Sequence, residues 1–305
     1  MFGTTGDRRT LACLAPANTA LAQELLAKFG KSPPTGLFLE LTLPVGSGRN
    51  KANVLAALRM IHAGGLHASC RRNNQGVLIP YQATNGGGYT LEALLGITPN
   101  GNSEPDYLGW EIKGHSSNRV TLMTPEPNGG FYGERGVREF VEHYGHEVND
   151  GGMYFTGGHK VGVRCVATGM TLQVSGFDPA AQKLLDVGGA VRLVDAAGNE
   201  AASWAFAQLL THWTRKHAFA AYVRYTAQKM PIAYRYDTPV LMGEHTDFGK
   251  FLNALCSGAI VFDPGSKVTQ ARTTQSKVKA RSQFRIKTKD LGLLYQVLTA
   301  ESIAG

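Results

Sequence analysis

The segment PDYLGWEIKGH, Pro105–His115, constrains the fold more strongly than any other part of the sequence. Alternate side chains of a β-strand share a face. Trp110 and Ile112 are therefore predicted to pack into a core, while Glu111 and Lys113 lie together on the opposite face. Two charged side chains beside two large apolar ones predict a strand that is buried on one side and carries a polar site on the other.

A second carboxylate precedes this strand. Asp106 is separated from Glu111 by four residues, and Gly109 between them allows a sharp bend that would bring the two carboxylates together. Converging carboxylates repel each other unless a cation lies between them, and Mg²⁺ commonly takes one or two protein carboxylates and completes its shell with water and phosphate oxygens. The alternative is a surface hairpin with an exposed ion pair, which contributes little stability.

The order of the remaining elements predicts an α/β (mixed α+β) fold, with a mixed sheet flanked by helices. Leucines at every second position in GLFLELTL, residues 36–43, predict a strand. The following segment PVGSGRNKANVLAALRMIHAGG, residues 44–65, predicts a glycine turn that leads into a helix ending at Gly64 and Gly65. Asn85 to Gly88 are predicted to form a flexible loop, after which Thr90 caps a short helix.

Charge and composition indicate the class of partner. The formal net charge of +8 and the pI of about 9.3 give the surface a positive field that favours polyanionic partners. Membrane insertion is not expected, because no apolar run reaches the roughly 18 residues that a spanning helix needs. The four cysteines are far apart and form no CxxC pair, which predicts reduced thiols and a cytoplasmic location.

Several short segments leave two interpretations open. The glycine turn of YFTGGHKVGVR could present His159 and Lys160 to phosphates, or it could be an ordinary turn. His245 could read a base, although the following Thr246 and Asp247 have the pattern of a helix cap.

PDYLGWEIK resembles the PD-(D/E)xK nuclease signature. Its surroundings resemble the MvaI/BcnI type of restriction endonuclease, which is similar to the MutH mismatch-repair nicking enzyme. The blocks that carry the resemblance occur in order over about residues 85 to 298: TLEALLGI, DYLGWEIKG, VTLMTPEP, REFVEHYGH, KFLNALCSGAIVFD and FRIKTKDLGLLY.

The resemblance implies a restriction-endonuclease-like core with two lobes around a DNA cleft. By this likeness Asp106 and Glu111 bind Mg²⁺, with Mn²⁺ able to substitute, and the Ile112 carbonyl is a third ligand. Lys113 would contact and orient the attacking water. Glu92 resembles an additional acidic residue of the family, and the alternative is a glutamate on a helix surface.

A basic stretch from Lys267 to Lys289 contains no acidic residue and is predicted to contact DNA phosphates, or else to be a solvated loop. Its members in the predicted DNA-binding set are Lys267, Arg272, Lys279, Arg281, Gln283 and Arg285. In the relatives this segment resembles the part that reads bases. Gln283 stands where histidine is expected, and glutamine pairs more naturally with adenine, so the target is expected to differ from the CC-N-GG type or to be recognised less strictly.

The predicted organisation is an N-terminal extension of unknown role (1–75), a catalytic lobe (76–165) and a DNA-recognition lobe (166–305). The predicted function is that of a Mg²⁺-dependent, sequence-specific endonuclease acting on double-stranded DNA, similar to type II restriction enzymes in defence. It is expected to be a monomer that nicks the two strands in turn. The alternatives are a MutH-like repair nicking enzyme and a DNA-binding module whose nuclease centre is vestigial.

Overall fold

A computed structural model describes residues 2–4, 10–12, 16, 19–29, 34–35, 38–39, 51–98, 106–149, 151–271 and 273–304. The chain divides by its contacts into two units, 1–47 and 48–305. The α-helices are α1 (Ala20–Phe29), α2 (Lys51–Ala63), α3 (Gly86–Leu94), α4 (Gly130–Tyr144), α5 (Phe206–His217) and α6 (Phe248–Cys256), and a 3-10 helix covers Thr288–Leu294.

The strands are short except for β17. They are β1 (Phe2–Thr4), β2 (Thr10–Ala12), β3 (Pro34–Thr35), β4 (Phe38–Leu39), β5 (His67–Ala68), β6 (Cys70–Arg72), β7 (Leu78–Pro80), β8 (Glu111–His115), β9 (Arg119–Met123), β10 (His146–Glu147), β11 (Met153–Thr156), β12 (Thr171–Ser175), β13 (Phe177–Asp178), β14 (Lys183–Leu184), β15 (Ala190–Val194), β16 (Glu200–Ala205), β17 (Phe219–Lys229), β18 (Ile232–Tyr236), β19 (Val240–Glu244), β20 (Ile260–Phe262), β21 (Gly265–Thr269), β22 (Lys277–Lys279), β23 (Phe284–Lys287) and β24 (Val297–Glu301).

The first unit contains α1 and two small antiparallel pairs, β1 with β2 and β3 with β4. Thr19 precedes α1 and accepts a hydrogen bond from the Ala22 amide at 3.2 Å, which caps the helix. Of the strand predicted over residues 36–43, the described part is Phe38–Leu39, which lies in β4; the rest lies outside the described residues.

The second unit is built around a mixed sheet with the order β24-β19-β17-β18-β5, in which β8 also pairs with β17. The β8–β17 pairing is parallel and all the other pairings are antiparallel. This arrangement confirms the predicted mixed α/β class. It also places the charged segment found in the sequence beside a strand that follows it by about a hundred residues.

The side chains of β17 alternate between two hydrophobic cores. Ala221 and Val223 belong to the core that contains Leu58 of α2 and Leu91 of α3, whereas Ala220 and Tyr222 belong to the larger core on the other face. Because both faces are covered, β17 is buried over most of the length that pairs with β8. The sheet is therefore the rigid base on which β8 is held.

A second sheet, β20-β23-β9, follows directly from the first, because β9 begins after the short turn 116–118 that ends β8. The unit also contains the four-stranded sheet β10-β11-β21-β22, the three-stranded sheet β12-β15-β16 and the two-stranded pairs β6-β7 and β13-β14. In the part of the chain that the structure describes, no helix is both long and apolar enough to cross a membrane.

The glycine-rich segment before Glu92 differs from the prediction. Gly86 to Gly88 form the first turn of α3 instead of a loop. Thr90 lies inside the helix, is fully buried, and bonds through its hydroxyl to both backbone groups of Cys70 rather than capping α3. The three glycines predicted a loop because glycine usually weakens a helix. Packing of α3 against neighbouring tyrosines favours the helix here.

The division at residues 75/76 and 165/166 stays a prediction. The unit boundary found from contacts lies at 47/48, and α2 lies within the second unit. Strand β17, from the segment predicted as the recognition lobe, pairs with β8 of the predicted catalytic lobe. Segments from the two predicted lobes therefore meet in one sheet.

Candidate active site

A tight turn joins Asp106 to β8. Tyr107 and Trp110 donate backbone hydrogen bonds to each other's carbonyls at 3.0 and 2.8 Å. The two central residues have positive φ, +48° at Leu108 and +80° at Gly109, which is the pattern of a type I′ turn. The predicted bend at Gly109 is confirmed.

The turn directs Asp106 back onto β8. Its Oδ2 accepts a hydrogen bond from the Ile112 amide at 3.0 Å. Trp110 and Ile112 are 1% and 4% exposed and belong to the α2–α3 core, as predicted. The carboxylate of Asp106 is therefore fixed relative to a strand that cannot shift without disturbing the core.

Glu111 and Lys113 share the other face of β8. Lys113 Nζ lies 2.5 Å from Glu111 Oε1. Only 1% of Glu111 is exposed, and 22% of the Lys113 side chain is exposed. Burial by itself lowers the pKa of Lys113, but Glu111, with Asp106 and Glu92, raises it above its ordinary value. Lys113 therefore remains an ammonium ion.

The electrostatics of Asp106 indicate that the site is suited to a cation. Burial, followed by the nearby charge of Glu111, raises the pKa of Asp106 to about 6. A divalent cation between the carboxylates would offset both effects. Among the described residues no group of three or more His, Cys, Asp or Glu side chains is arranged to hold a metal. Two carboxylates and a backbone carbonyl nevertheless fit the few protein ligands that Mg²⁺ requires.

Helix α3 brings Glu92 to the same place by close packing on tyrosines. A Cβ at Gly87 would lie 2.3 Å from the ring of Tyr225, and one at Gly86 would lie 2.5 Å from the hydroxyl of Tyr234. Glycine is therefore required where α3 meets the β17–β18 hairpin. Glu92 is half-buried and close enough to Lys113 to contribute to its raised pKa.

These side chains lie in a cleft of about 900 Å³. Asp106, Glu111, Ile112 and Lys113 line it together with Glu92. The structure thus brings together all five residues that the sequence assigned to catalysis and metal binding. Their catalytic roles stay predictions, while their proximity is a feature of the fold.

Two of the predicted DNA-binding residues, Arg281 and Arg285, line the same cleft. Arg281 is exposed, and its stem lies over Gly265, where a Cβ would come within 2.9 Å of Arg281 Cδ. Arg285 donates to Asp263 Oδ2 at 2.7 Å. Gln283 is half-buried, and its backbone carbonyl accepts a hydrogen bond from the backbone amide of Asp263 at 2.8 Å.

The predicted phosphate contacts lie on the β21–β22 hairpin. Lys267 and Lys279 are cross-strand partners. Lys267 Nζ lies 5.0 Å from the centre of the Tyr154 ring and donates to its hydroxyl at 3.2 Å, and Lys279 is exposed. Both lysines stay predicted DNA ligands. Arg272 lies outside the described residues.

The other three residues predicted to contact DNA, His159, Lys160 and His245, do not line the cleft. His159 is fully buried, and its Nε2 lies 2.8 Å from Thr168 Oγ1, which favours a structural role. Lys160 is exposed. His245 is exposed at φ +58° beside Phe219. The adjacent Asp247 caps α6 by accepting from the Lys250 amide at 2.8 Å, so the cap interpretation of this segment is confirmed.

The cleft also contains residues that were not predicted from the sequence, among them His115, Arg119 and His212. His115 follows Lys113 by two residues, so strand alternation could have identified it. Its Nδ1 lies 2.8 Å from the Ser117 carbonyl, and burial lowers its pKa. Arg119 and His212 come from separate elements and give no comparable signal in the sequence.

Comparisons with known proteins identify a matching family and a similar fold. The model of the MvaI/BcnI restriction endonuclease family matches residues 55–295. The complex of restriction endonuclease MvaI with its cognate DNA substrate is similar in structure, with a TM-score of 0.63 and 16% identity over 82% of this chain and 97% of that chain. MvaI without DNA gives a TM-score of 0.44 and 14% identity, over 86% and 100%. No curated protein matches the sequence. The likeness to the DNA complex confirms the predicted restriction-endonuclease-like fold.

Proposed function

The chain belongs to the MvaI/BcnI restriction endonuclease family, and we propose that Asp106, Glu111 and Lys113 form its catalytic centre. Family membership makes the protein an endodeoxyribonuclease that acts at specific DNA sequences. The observation that supports the proposed centre is the convergence of two carboxylates and one ammonium group at one wall of the cleft.

In this proposal Asp106, Glu111 and the Ile112 carbonyl hold a divalent ion, Mg²⁺ with Mn²⁺ as a substitute. When bound, the ion lowers the pKa of a water molecule and offsets negative charge on the phosphodiester. Lys113 keeps its proton beside Glu111, so it orients the water and stabilises charge on the phosphate. Glu92 adds a further acceptor for the water or the ion.

The residues around the cleft are suited to a polyanionic substrate. Arg281 and Arg285 line it, and Lys267 and Lys279 lie on the adjoining hairpin. We assign the lysines, with Arg272, to phosphates and the Arg281–Arg285 segment to base reading. A guanidinium pairs well with guanine and the Gln283 amide with adenine, so the target is expected to differ from CC-N-GG. Lys160 and His245, which were also predicted to contact DNA, are exposed and can be substituted in the same binding experiments. His159 is buried and would need a rearrangement of the fold to reach DNA.

We also propose the finer features of the activity. The enzyme is a monomer with one centre, nicks one strand of double-stranded DNA at each encounter, and serves defence in the cytoplasm. The catalytic lobe is then formed by the β8–β17 sheet with α2 and α3, and the recognition lobe by the β20-β23-β9 and β10-β11-β21-β22 sheets. Retention of Asp106, Glu111 and Lys113 argues against a vestigial centre.

Supercoiled plasmid tests the centre. Wild-type protein with Mg²⁺ or Mn²⁺ should give open-circular DNA first and linear DNA later, and EDTA should prevent both. Asp106→Ala should give neither product while still shifting duplex DNA in a gel. Glu147→Gln, at an exposed acid of β10, is the control and should cut normally. Cutting by Asp106→Ala at the wild-type rate would refute the assignment. Sequencing the ends of cut genomic DNA would identify the target.

A further inference from the structure

One face of α3 lines the cleft beside the catalytic centre. Asn85, Gly88, Tyr89 and Glu92 all contribute to the lining. Their spacing of i, i+3, i+4 and i+7 places them in one stripe along the helix. Glu92 ends the stripe at the carboxylates, and Tyr89 and Asn85 extend it along the cleft wall by about one and two turns.

Gly88 differs from the two glycines before it. A Cβ at Gly86 or Gly87 would collide with a tyrosine, so packing explains both positions. A Cβ at Gly88 would have nothing within 4 Å, so packing does not require glycine there. Glycine in a helix that faces open space is unfavourable relative to alanine unless a ligand approaches the backbone closely.

The amide of Asn85 has a fixed orientation. Tyr81 donates its hydroxyl hydrogen to Asn85 Oδ1 at 2.9 Å. The guanidinium of Arg71 lies over the Tyr81 ring at 5.3 Å and holds that ring in place. With Oδ1 turned towards Tyr81, the amide NH₂ is turned away from it and can donate to a ligand, and Asn85 itself is exposed.

Tyr89 continues this network. Its ring packs edge-on against Tyr81, with centroids 5.1 Å apart. Burial, together with Tyr81 and Glu92, raises the pKa of Tyr89, so the hydroxyl keeps its proton and can donate a hydrogen bond. The stripe therefore offers neutral donors next to an acidic centre, which suits the phosphate of a nucleic-acid strand whose neighbouring phosphate is at that centre.

We propose that Asn85, Gly88 and Tyr89 bind the sugar–phosphate backbone of the cleaved DNA strand, at the phosphate next to the scissile one. Asn85 and Tyr89 donate to this phosphate, and Gly88 lets the backbone approach the helix. This inference rests on the proposed function, since it takes the scissile phosphate to lie at Asp106 and Glu111. The three residues are positioning residues and touch no reacting atom.

Three variants test the site without disturbing the fold. Tyr89→Phe removes one hydroxyl group. Asn85→Asp keeps an acceptor for Tyr81 and replaces the donor with a negative charge. Gly88→Ala adds a methyl group that meets no protein atom within 4 Å. Each should unfold at or above the wild-type temperature. Tyr144→Phe on α4 and Gly292→Ala, whose Cβ would meet only Leu298 at 3.9 Å, are the matched controls.

Steady-state cleavage of a duplex with the mapped target provides the first readout. A hydrogen bond to a charged group corresponds to about ten- to a hundredfold in affinity, so Tyr89→Phe should raise KM by about tenfold or more with kcat little changed. Asn85→Asp should have a larger effect, and Gly88→Ala should raise KM by about tenfold or more through exclusion of the strand. The controls should match the wild type. Unchanged KM in all three variants would overturn the inference.

A neutral methylphosphonate in place of the neighbouring phosphate provides a second readout. It should weaken wild-type binding at least as much as Tyr89→Phe does, because Asn85 donates to the same phosphate. On the methylphosphonate duplex, Tyr89→Phe should add little further loss of affinity. Additive losses would show that Tyr89 acts elsewhere. Gel shifts in EDTA measure the same losses of DNA affinity without cleavage. If the wild type binds DNA but never cuts it, the catalytic assignment fails, while weaker binding by the variants would still support this site.

Discussion

Replacing Asp106 by asparagine should stabilise the metal-free protein while abolishing its activity. The asparagine oxygen can still accept from the Ile112 amide, which now bonds at 3.0 Å, so the turn is retained. What disappears is a partly buried carboxylate next to Glu111. Folding raises the pKa of Asp106 from 3.8 to about 6, and each pH unit is worth 1.36 kcal/mol, so the ionised group costs about 3 kcal/mol.

The sign of this effect depends on pH. Between pH 3.8 and about 6 the folded protein binds more protons at Asp106 than the unfolded chain does, so wild-type stability falls as the pH rises through this window. The advantage of Asp106→Asn should therefore be about 3 kcal/mol at pH 8 and about half of that at pH 5. At about 2–4 °C per kcal/mol, the variant should melt about 6 °C or more above the wild type at pH 8.

Thermal unfolding in EDTA at pH 5 and pH 8 measures the difference, with Glu147→Gln as the control for losing one negative charge from a protein of net charge +8. Mg²⁺ should then raise the melting temperature of the wild type more than that of Asp106→Asn, because a ligand that binds the native state stabilises it. If Asp106→Asn melts below the wild type at pH 8, or if its advantage does not shrink at pH 5, the repulsion argument is wrong.

Three further predictions concern stability. Leu108→Asn should stabilise the protein by about 1 kcal/mol, since asparagine tolerates the left-handed backbone at φ +48°, and a lower melting temperature would contradict this. Gly87→Ala should destabilise it by about 1–3 kcal/mol in urea unfolding and reduce cleavage, because the added methyl meets the Tyr225 ring at 2.3 Å; wild-type stability would show that α3 can move away. Burial lowers the pKa of His159 from 6.5, so the unfolded chain binds the proton more tightly, and wild-type stability should fall as the pH drops below 6.5. His159→Gln should lack that part of the pH dependence, and identical pH slopes for the two proteins would refute it.

The local geometry of the site was largely predictable from the sequence. The alternation of apolar and charged residues in WEIK predicted which side chains enter the core. Gly109 predicted the bend that brings Asp106 back to the strand. Both signals are short-range: they depend on the period of a strand and on the conformational freedom of one residue. The identity of Glu92 as a neighbour came from family resemblance, and the structure confirms that it lies in the same cleft.

Long-range pairing was not predictable in the same way. Nothing in the 111–115 segment indicates that its parallel partner is β17, because parallel partners are joined by long connections and the choice among strands depends on the whole sheet. The helical state of Gly86 to Gly88 was missed for a related reason. Their local preference is for a loop, and the tyrosines that require glycine at Gly86 and Gly87 come from β17 and β18, far along the chain.

The fixed position of β8 explains why burial and the repulsion between the two carboxylates raise the pKa of Asp106 instead of moving it away from Glu111. Asp106 and Glu111 could relieve it by separating, but the turn ties Asp106 to the Ile112 amide, and the burial of Trp110 and Ile112 in the α2–α3 core prevents β8 from shifting. The ammonium group of Lys113 offsets part of this charge, and proton uptake by Asp106 or binding of a divalent cation would offset more of it. We therefore expect a core that holds two acids together to favour binding of a divalent cation at this wall of the cleft, at a cost in the stability of the metal-free protein.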